Sequence, residues 1–217
     1  MNEKIAGVIF DLDGVLVSTD NCHYLAWKRM ADEEGIDFDR KVNERLRGVS
    51  RMESLDILLE RAAKPYTEDE KAAMAARKNA YYVTLIGSLT EGDVLPGALA
   101  TLQMLRGRGI KLAIGSSSKN TPLILKQIGL SGAFDAVADG NQITRSKPDP
   151  EVFLLAARLM SLAPESCLVV EDADAGVEAA LAGSMRVLGV GAAAANPTAT
   201  YTAKDLASFD FAAILAE

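Results

Sequence analysis

The stretch Ile5-Ala6-Gly7-Val8-Ile9-Phe10-Asp11-Leu12-Asp13-Gly14-Val15-Leu16 decides the fold. Its first six residues are apolar and partly β-branched. The run is too short for a helix, so it reads as a strand buried on both faces. Two acids and a glycine follow at once, where a buried strand reaches a sheet edge.

Downstream of this stretch the pattern turns helical, from about Asp20 to about Glu91. Tyr24, Trp27, Met30 and Ala31 recur at helical spacing, and Gly35 ends that run. Ser50 with Glu53, and Thr67 with Glu70, have the spacing of capping boxes. The first precedes Leu55, Leu58 and Leu59; the second precedes a long helix running toward Ile86.

From Pro96 strands and helices alternate. The expected order is a helix over 96–108, strand Lys111–Gly115, a helix around 123–128 and a short strand at Ala136–Ala138. A helix over 151–160, strand Cys167–Glu171, a helix over 176–182 and a strand over 187–190 follow. Such alternation implies a parallel sheet covered on both faces. The fold class is therefore α/β. A Rossmann-like core, residues 1–17 and 93–217, is interrupted after its first strand by an all-helical insert, residues 18–92. The Ala-rich C-terminal stretch carries no readable motif.

Composition sets the outer bounds. The 217 residues are 49% hydrophobic and 24% charged, as in ordinary globular proteins. The net charge of −7 argues against nucleic-acid or anionic-membrane partners, although local cations can still bind a small phosphate. The two cysteines, Cys22 and Cys167, form no CxxC motif and read as reduced thiols. The N-terminal apolar run is too short for a signal segment, and no stretch has the length of a membrane span. A cytoplasmic enzyme is expected.

Three predicted strands end in polar residues: Asp11 and Asp13, Ser116 to Asn120, and Glu171 with Asp172. In open α/β sheets ligands bind beyond the carboxyl ends of the strands. Up to four carboxylates would meet there, and they repel unless a cation sits among them. An all-oxygen donor set points to Mg2+. The single histidine, His23, lies in the insert, which excludes a Ser–His–Asp triad in the core. A carboxylate nucleophile is the alternative for a phosphoryl group. Asp11 is placed to attack, and Asp13 to give and later take a proton. Lys147, Ser116 and the following backbone N–H groups would hold the transferring group's oxygens. Standing alone, Ser116–Asn120 would read as an ordinary N-capping loop.

Asp11-Leu12-Asp13-Gly14-Val15-Leu16, Ser116, Ser146-Lys147-Pro148 and Glu171-Asp172, in this order and spacing, resemble the four motifs of the haloacid dehalogenase superfamily. The insert resembles its helical cap. Segments HYLAWKRMA, NERLRGVSRMESL, RKNAYYV, GSSSKN and SKPDPE are similar to its β-phosphoglucomutase branch. That branch converts β-D-glucose 1-phosphate to glucose 6-phosphate through β-glucose 1,6-bisphosphate. The resemblance implies a phosphorylated Asp11 and an acid/base Asp13. It implies Mg2+ held by Asp11, the Asp13 carbonyl and Asp172, with Glu171 close by. Ser116, Ser117 and Lys147 would bind the transferring phosphate; Arg51, Ser118, Lys119 and Asn120 would bind the distal one.

His23 and Lys78 would couple the cap to the acid/base, with Trp27 facing the site, Thr19 at the hinge, and Gly48, Val49 and Ser54 near the sugar. Three positions depart from the branch's usual residues: Ser18, Arg47 and Ala173. A Mg2+-dependent sugar-phosphate phosphatase is the alternative activity, and a monomer is expected.

Overall fold

The computed structural model describes residues 4–46 and 49–215. Six parallel strands form one sheet in the order β3-β2-β1-β4-β5-β6. They are β1 (Gly7–Phe10), β2 (Lys111–Gly115), β3 (Ala136–Ala138), β4 (Cys167–Glu171), β5 (Arg186–Gly189) and β6 (Tyr201–Thr202). The chain runs outward from β1 to β3 on one side, then returns to build β4 to β6 on the other. The strand order thus reverses beside β1, which is where such sheets open a crevice.

Register explains why β1 carries the site. Phe10 pairs with Ile114 on one side and Val170 on the other. The next residue on each strand is then Asp11, Gly115 and Glu171, all at one edge. Alternation fills the two faces. Val8 and Phe10 enter one hydrophobic cluster with Leu112, Ile114 and Val170; Ile9 enters the other with Ala113, Val169 and Val187. Burial on both faces is what the unbroken apolar run requires.

Helices α1 (Asp20–Glu33), α2 (Arg40–Glu44), α3 (Arg51–Leu59) and α4 (Glu68–Ile86) form a helical lobe between β1 and β2. Trp27, Met30, Phe38, Leu55, Leu58 and Met74 give it a core of its own. Both capping boxes are formed, at Ser50–Glu53 and at Thr67–Glu70. The lower ends of α1 and α4 enter the main core instead, through Ala26, Tyr82 and Ile86. The chain leaves and re-enters the sheet side by side: Leu95 N–H donates to the Leu16 carbonyl at 2.8 Å.

The remaining helices are α5 (Ala98–Gly107), α6 (Thr121–Gln127), α7 (Glu151–Leu159), α8 (Asp174–Ala182) and α9 (Phe211–Leu215). α5 starts later than expected because Gly97 has φ +84°, which breaks the helix; a Cβ there would meet the Ala207 backbone nitrogen at 2.4 Å. The unread C-terminal stretch supplies β6, and Phe211 and Ile214 of α9 cover the main core. No helix among the described residues is long and apolar enough to cross a membrane.

Candidate active site

The carboxyl edge of the sheet and the helical lobe enclose a cavity of about 1170 Å3. Asp11 stands at its floor. Its backbone N–H donates to the Val170 carbonyl at 2.9 Å, extending the ladder one step past β1. Lys147 Nζ, from the loop before α7, lies 2.5 Å from Asp11 Oδ1 and 2.9 Å from Glu171 Oε2. Its ammonium also rests 4.6 Å from the centre of the Phe153 ring. Burial works against that charge, but Asp11 and Glu171 outweigh it and hold the Lys147 pKa above its ordinary value. Lys147 is thus a fixed cation beside the candidate nucleophile.

Carboxylate oxygens of Asp11, Glu171 and Asp172 lie within 4.8 Å of one another. Burial, and then the charge of Asp11, push the Glu171 pKa well up. A hard divalent cation would relieve both effects, and three clustered carboxylates suit Mg2+. The fit is built into the backbone. Gly14 has φ +79°, and a Cβ there would sit 2.1 Å from Asp172 Oδ2. The C-terminal segment braces the same acid, since Ala193 N–H donates to the Asp172 carbonyl at 3.0 Å.

The Asp13 side chain is held apart from this cluster. Its two oxygens accept from Thr19 N–H and Thr19 Oγ1, each at 2.6 Å. Tyr82 Oη donates in turn to Thr19 Oγ1 at 2.9 Å. Desolvation outweighs those bonds and raises the Asp13 pKa to about 7. That value suits a group that must both donate and accept a proton near neutrality. His23 Nε2 stands 4.0 Å from Asp13 Oδ2. Its Nδ1 is 2.9 Å from Lys78 Nζ, itself poised over the Trp27 and Tyr82 rings. Burial, then Lys78, lower the His23 pKa well below its usual range, which favours the neutral imidazole beside Lys78.

The loop after β2 lines the cavity with a second polar group, which starts at the sheet edge beside Asp11 and runs outward. Ser116 is buried, and its Oγ accepts from Ser118 N–H at 3.2 Å; Ser118 Oγ accepts from Asn120 N–H at 3.2 Å. Asn120 caps α6 without a side-chain bond to that helix, so the capping explanation does not account for it. The buried Ser117 hydroxyl has no hydrogen-bond partner among the described residues. Arg51, at the first turn of α3, reaches across from the lobe.

Of the residues singled out in the sequence, Asp11, Asp13, His23, Trp27, Val49, Arg51, Ser54, Lys78, Ser116–Asn120, Lys147, Glu171 and Asp172 all line the cavity. Thr19 is buried behind it, against Asp13. Gly48 and Arg47 lie outside the described residues. Ser18 is exposed, and Ala173 caps α8 with no side-chain bond. Sequence reasoning missed Tyr82 and Asn79. A signal existed: Lys78 sits among Met74, Ala75, Tyr82 and Ile86 on the buried stripe of α4, and a polar residue there marks a face turned toward a site.

The profile of the haloacid dehalogenase-like hydrolases matches residues 5–183. The chain belongs to that family. It is 44% identical over 186 residues to a beta-phosphoglucomutase of Bacillus subtilis, covering 85% of this chain and 82% of that protein. A phosphorylated carbohydrates phosphatase of Thermotoga maritima is 34% identical over 187 residues, covering 84% of each. The crystal structure of a beta-phosphoglucomutase from Clostridium difficile superposes with a TM-score of 0.91 at 40% identity, covering 97% of this chain and 95% of that one. The Clostridium structure shares the α/β fold described above.

Proposed function

We propose that the protein is a β-phosphoglucomutase, interconverting β-D-glucose 1-phosphate and glucose 6-phosphate through β-glucose 1,6-bisphosphate. One observation carries this reading beyond the family. A single cavity is lined by two sets of cations and hydrogen-bond donors, Lys147 and Ser116 beside Asp11, and Arg51, Ser118, Lys119 and Asn120 beyond, which supports a separate place for each of two phosphates. A hydrolase acting on one phosphate needs only the first.

In this reading an Asp11 oxygen attacks one phosphorus of the bisphosphate as its bond to the sugar oxygen breaks, releasing a sugar monophosphate. Asp13 protonates that leaving oxygen. Asp13, now a carboxylate, takes the proton of the free hydroxyl of a sugar monophosphate, which attacks the aspartyl-phosphate, re-forms the bisphosphate and frees Asp11. Lys147 and Ser116 hold the equatorial oxygens. His23 and Lys78 fix Asp13's surroundings, and Trp27, Val49 and Ser54 shape the sugar pocket. Asp11, Asp172 and the Asp13 carbonyl, with Glu171 beside them, would hold Mg2+, which when bound supplies charge neutralisation. Residues 18–92 act as the cap over a core of residues 1–17 and 93–217, in a cytoplasmic monomer.

The similarity to the Thermotoga phosphatase supports a second reading, hydrolysis of sugar phosphates. One assay separates the two. Supply β-glucose 1-phosphate, Mg2+ and a trace of β-glucose 1,6-bisphosphate, and follow glucose 6-phosphate and inorganic phosphate together. The mutase forms glucose 6-phosphate with little phosphate release. Matching phosphate release without glucose 6-phosphate would establish the phosphatase.

A further inference from the structure

Asn79, on α4 directly after Lys78, makes a contact that spans the cavity. Arg51 Nη2, from α3, donates to Asn79 Oδ1 at 2.8 Å. Asn120 Nδ2, from the loop after β2, donates to the same oxygen at 3.0 Å. Because a guanidinium can only donate, the amide must turn its oxygen to Arg51, and its orientation is chemically fixed. One neutral oxygen therefore gathers a donor from the helical lobe and a donor from the sheet.

Two further facts give this arrangement meaning. Arg51 is half-buried, and desolvation lowers its pKa. Among the described residues its guanidinium meets a neutral amide rather than a carboxylate. Other arginines of the lobe are paired with acids, as in Arg45 with Glu60 and Arg61 with Asp37 and Asp39, while the exposed Arg40 meets the Asn21 amide outside the cavity. A carboxylate opposite Arg51 would consume the charge that an incoming anion needs. An amide oxygen aligns the same donors and leaves the charge available.

We propose that Asn79 is a positioning residue that stands in for an oxygen of the distal phosphate, keeping Arg51 and Asn120 aligned until that phosphate replaces it. It thereby sets the preference for substrates with two phosphates. The inference rests on the distal site assigned under the proposed function, so its test must also work if the mutase assignment fails.

The test uses the full-length enzyme with Mg2+ and two variants, Asn79→Asp and Asn79→Ala. Turnover of p-nitrophenyl phosphate reads the Asp11 end alone. Competitive inhibition of that turnover by glucose 1,6-bisphosphate reads the distal end, whether the wild type is a mutase or a phosphatase. Asn79→Asp keeps the size and both hydrogen bonds. A merely structural clasp would leave it neutral or stabilising. The placeholder role requires a weakening of bisphosphate binding by about tenfold or more, the scale of one charged contact. Asn79→Ala should weaken it less, because the charge on Arg51 stays available. In both variants kcat for p-nitrophenyl phosphate should stay within about twofold of wild type, a change too small to reflect a lost catalytic interaction. Unchanged bisphosphate inhibition in Asn79→Asp would overturn the proposal. So would equal losses on both readouts in the two variants. Failure to form glucose 6-phosphate in the wild type would overturn the mutase reading alone.

Discussion

At the residue scale the site depends on a few buried charges with defined partners. Lys147 balances Asp11 and Glu171, so Lys147→Ala leaves two buried acids uncompensated. It should abolish turnover and cost about 3–5 kcal/mol in urea unfolding, the usual result of breaking a buried pair. Asp13 is tuned by Thr19. Losing the Thr19 hydroxyl in Thr19→Val removes a bond that favours the carboxylate, so the Asp13 pKa should rise above its value of about 7. The acidic limb of kcat/KM for the sugar monophosphate, whose attack needs Asp13 as a carboxylate, should then move to higher pH, by about one unit. Lys78 behaves oppositely in stability. Burial, then Arg51, lower its pKa from 10.5 to about 7. Between those values the folded state carries fewer protons than the unfolded one, so native stability gains as pH rises. The Tm of wild type relative to Lys78→Met should climb from pH 7 to pH 10; a flat difference would contradict a depressed Lys78. The chemistry of these residues was legible from type and order, but their partners were not. Nothing local to Asp13 indicates that its carboxylate binds Thr19 instead of joining the other acids.

At the element scale, strand ends and helix starts deliver the side chains. The turn after β1 admits only glycine at position 14, on two grounds: a positive φ, and the Asp172 carboxylate where a Cβ would go. Gly14→Ala should therefore displace a candidate metal ligand. Its expected signature is weaker Mg2+ affinity by calorimetry along with lost activity. The capping box at Ser50 fixes the first turn of α3, from which Arg51 projects. Ser50→Ala should cost about 1 kcal/mol by chemical denaturation. These devices were readable because they are local: capping-box spacing and buried-strand composition each act within a few residues. The helix at α5 shows the limit. Its first turn is set by a close approach of Gly97 to Ala207, far along the chain, and no local pattern records it.

For the whole molecule, the acid cluster and the cavity exist only because distant segments meet. If Asp11, Glu171 and Asp172 hold a cation, Mg2+ should raise the Tm of the wild type by binding linkage, and Asp172→Ala should abolish that rise. Chelation should remove turnover while the far-ultraviolet circular dichroism stays native, since the hydrophobic clusters do not involve the acids. The amino-acid sequence alone determined the alternation of strands and helices, the helical insert, the capped helix starts and the ordered acids that reveal the family. Those features follow from periodicity, propensity and motif spacing, which are local. Only the tertiary structure decided that Lys147 bridges Asp11, 136 residues away. It also recruited the unread C-terminal stretch as a sixth strand and a brace for Asp172. And it brought Arg51 and Asn120 to one oxygen of Asn79. Such convergences depend on strand order and on how the helical lobe packs over the sheet edge, and chain-local signals carry no information about either.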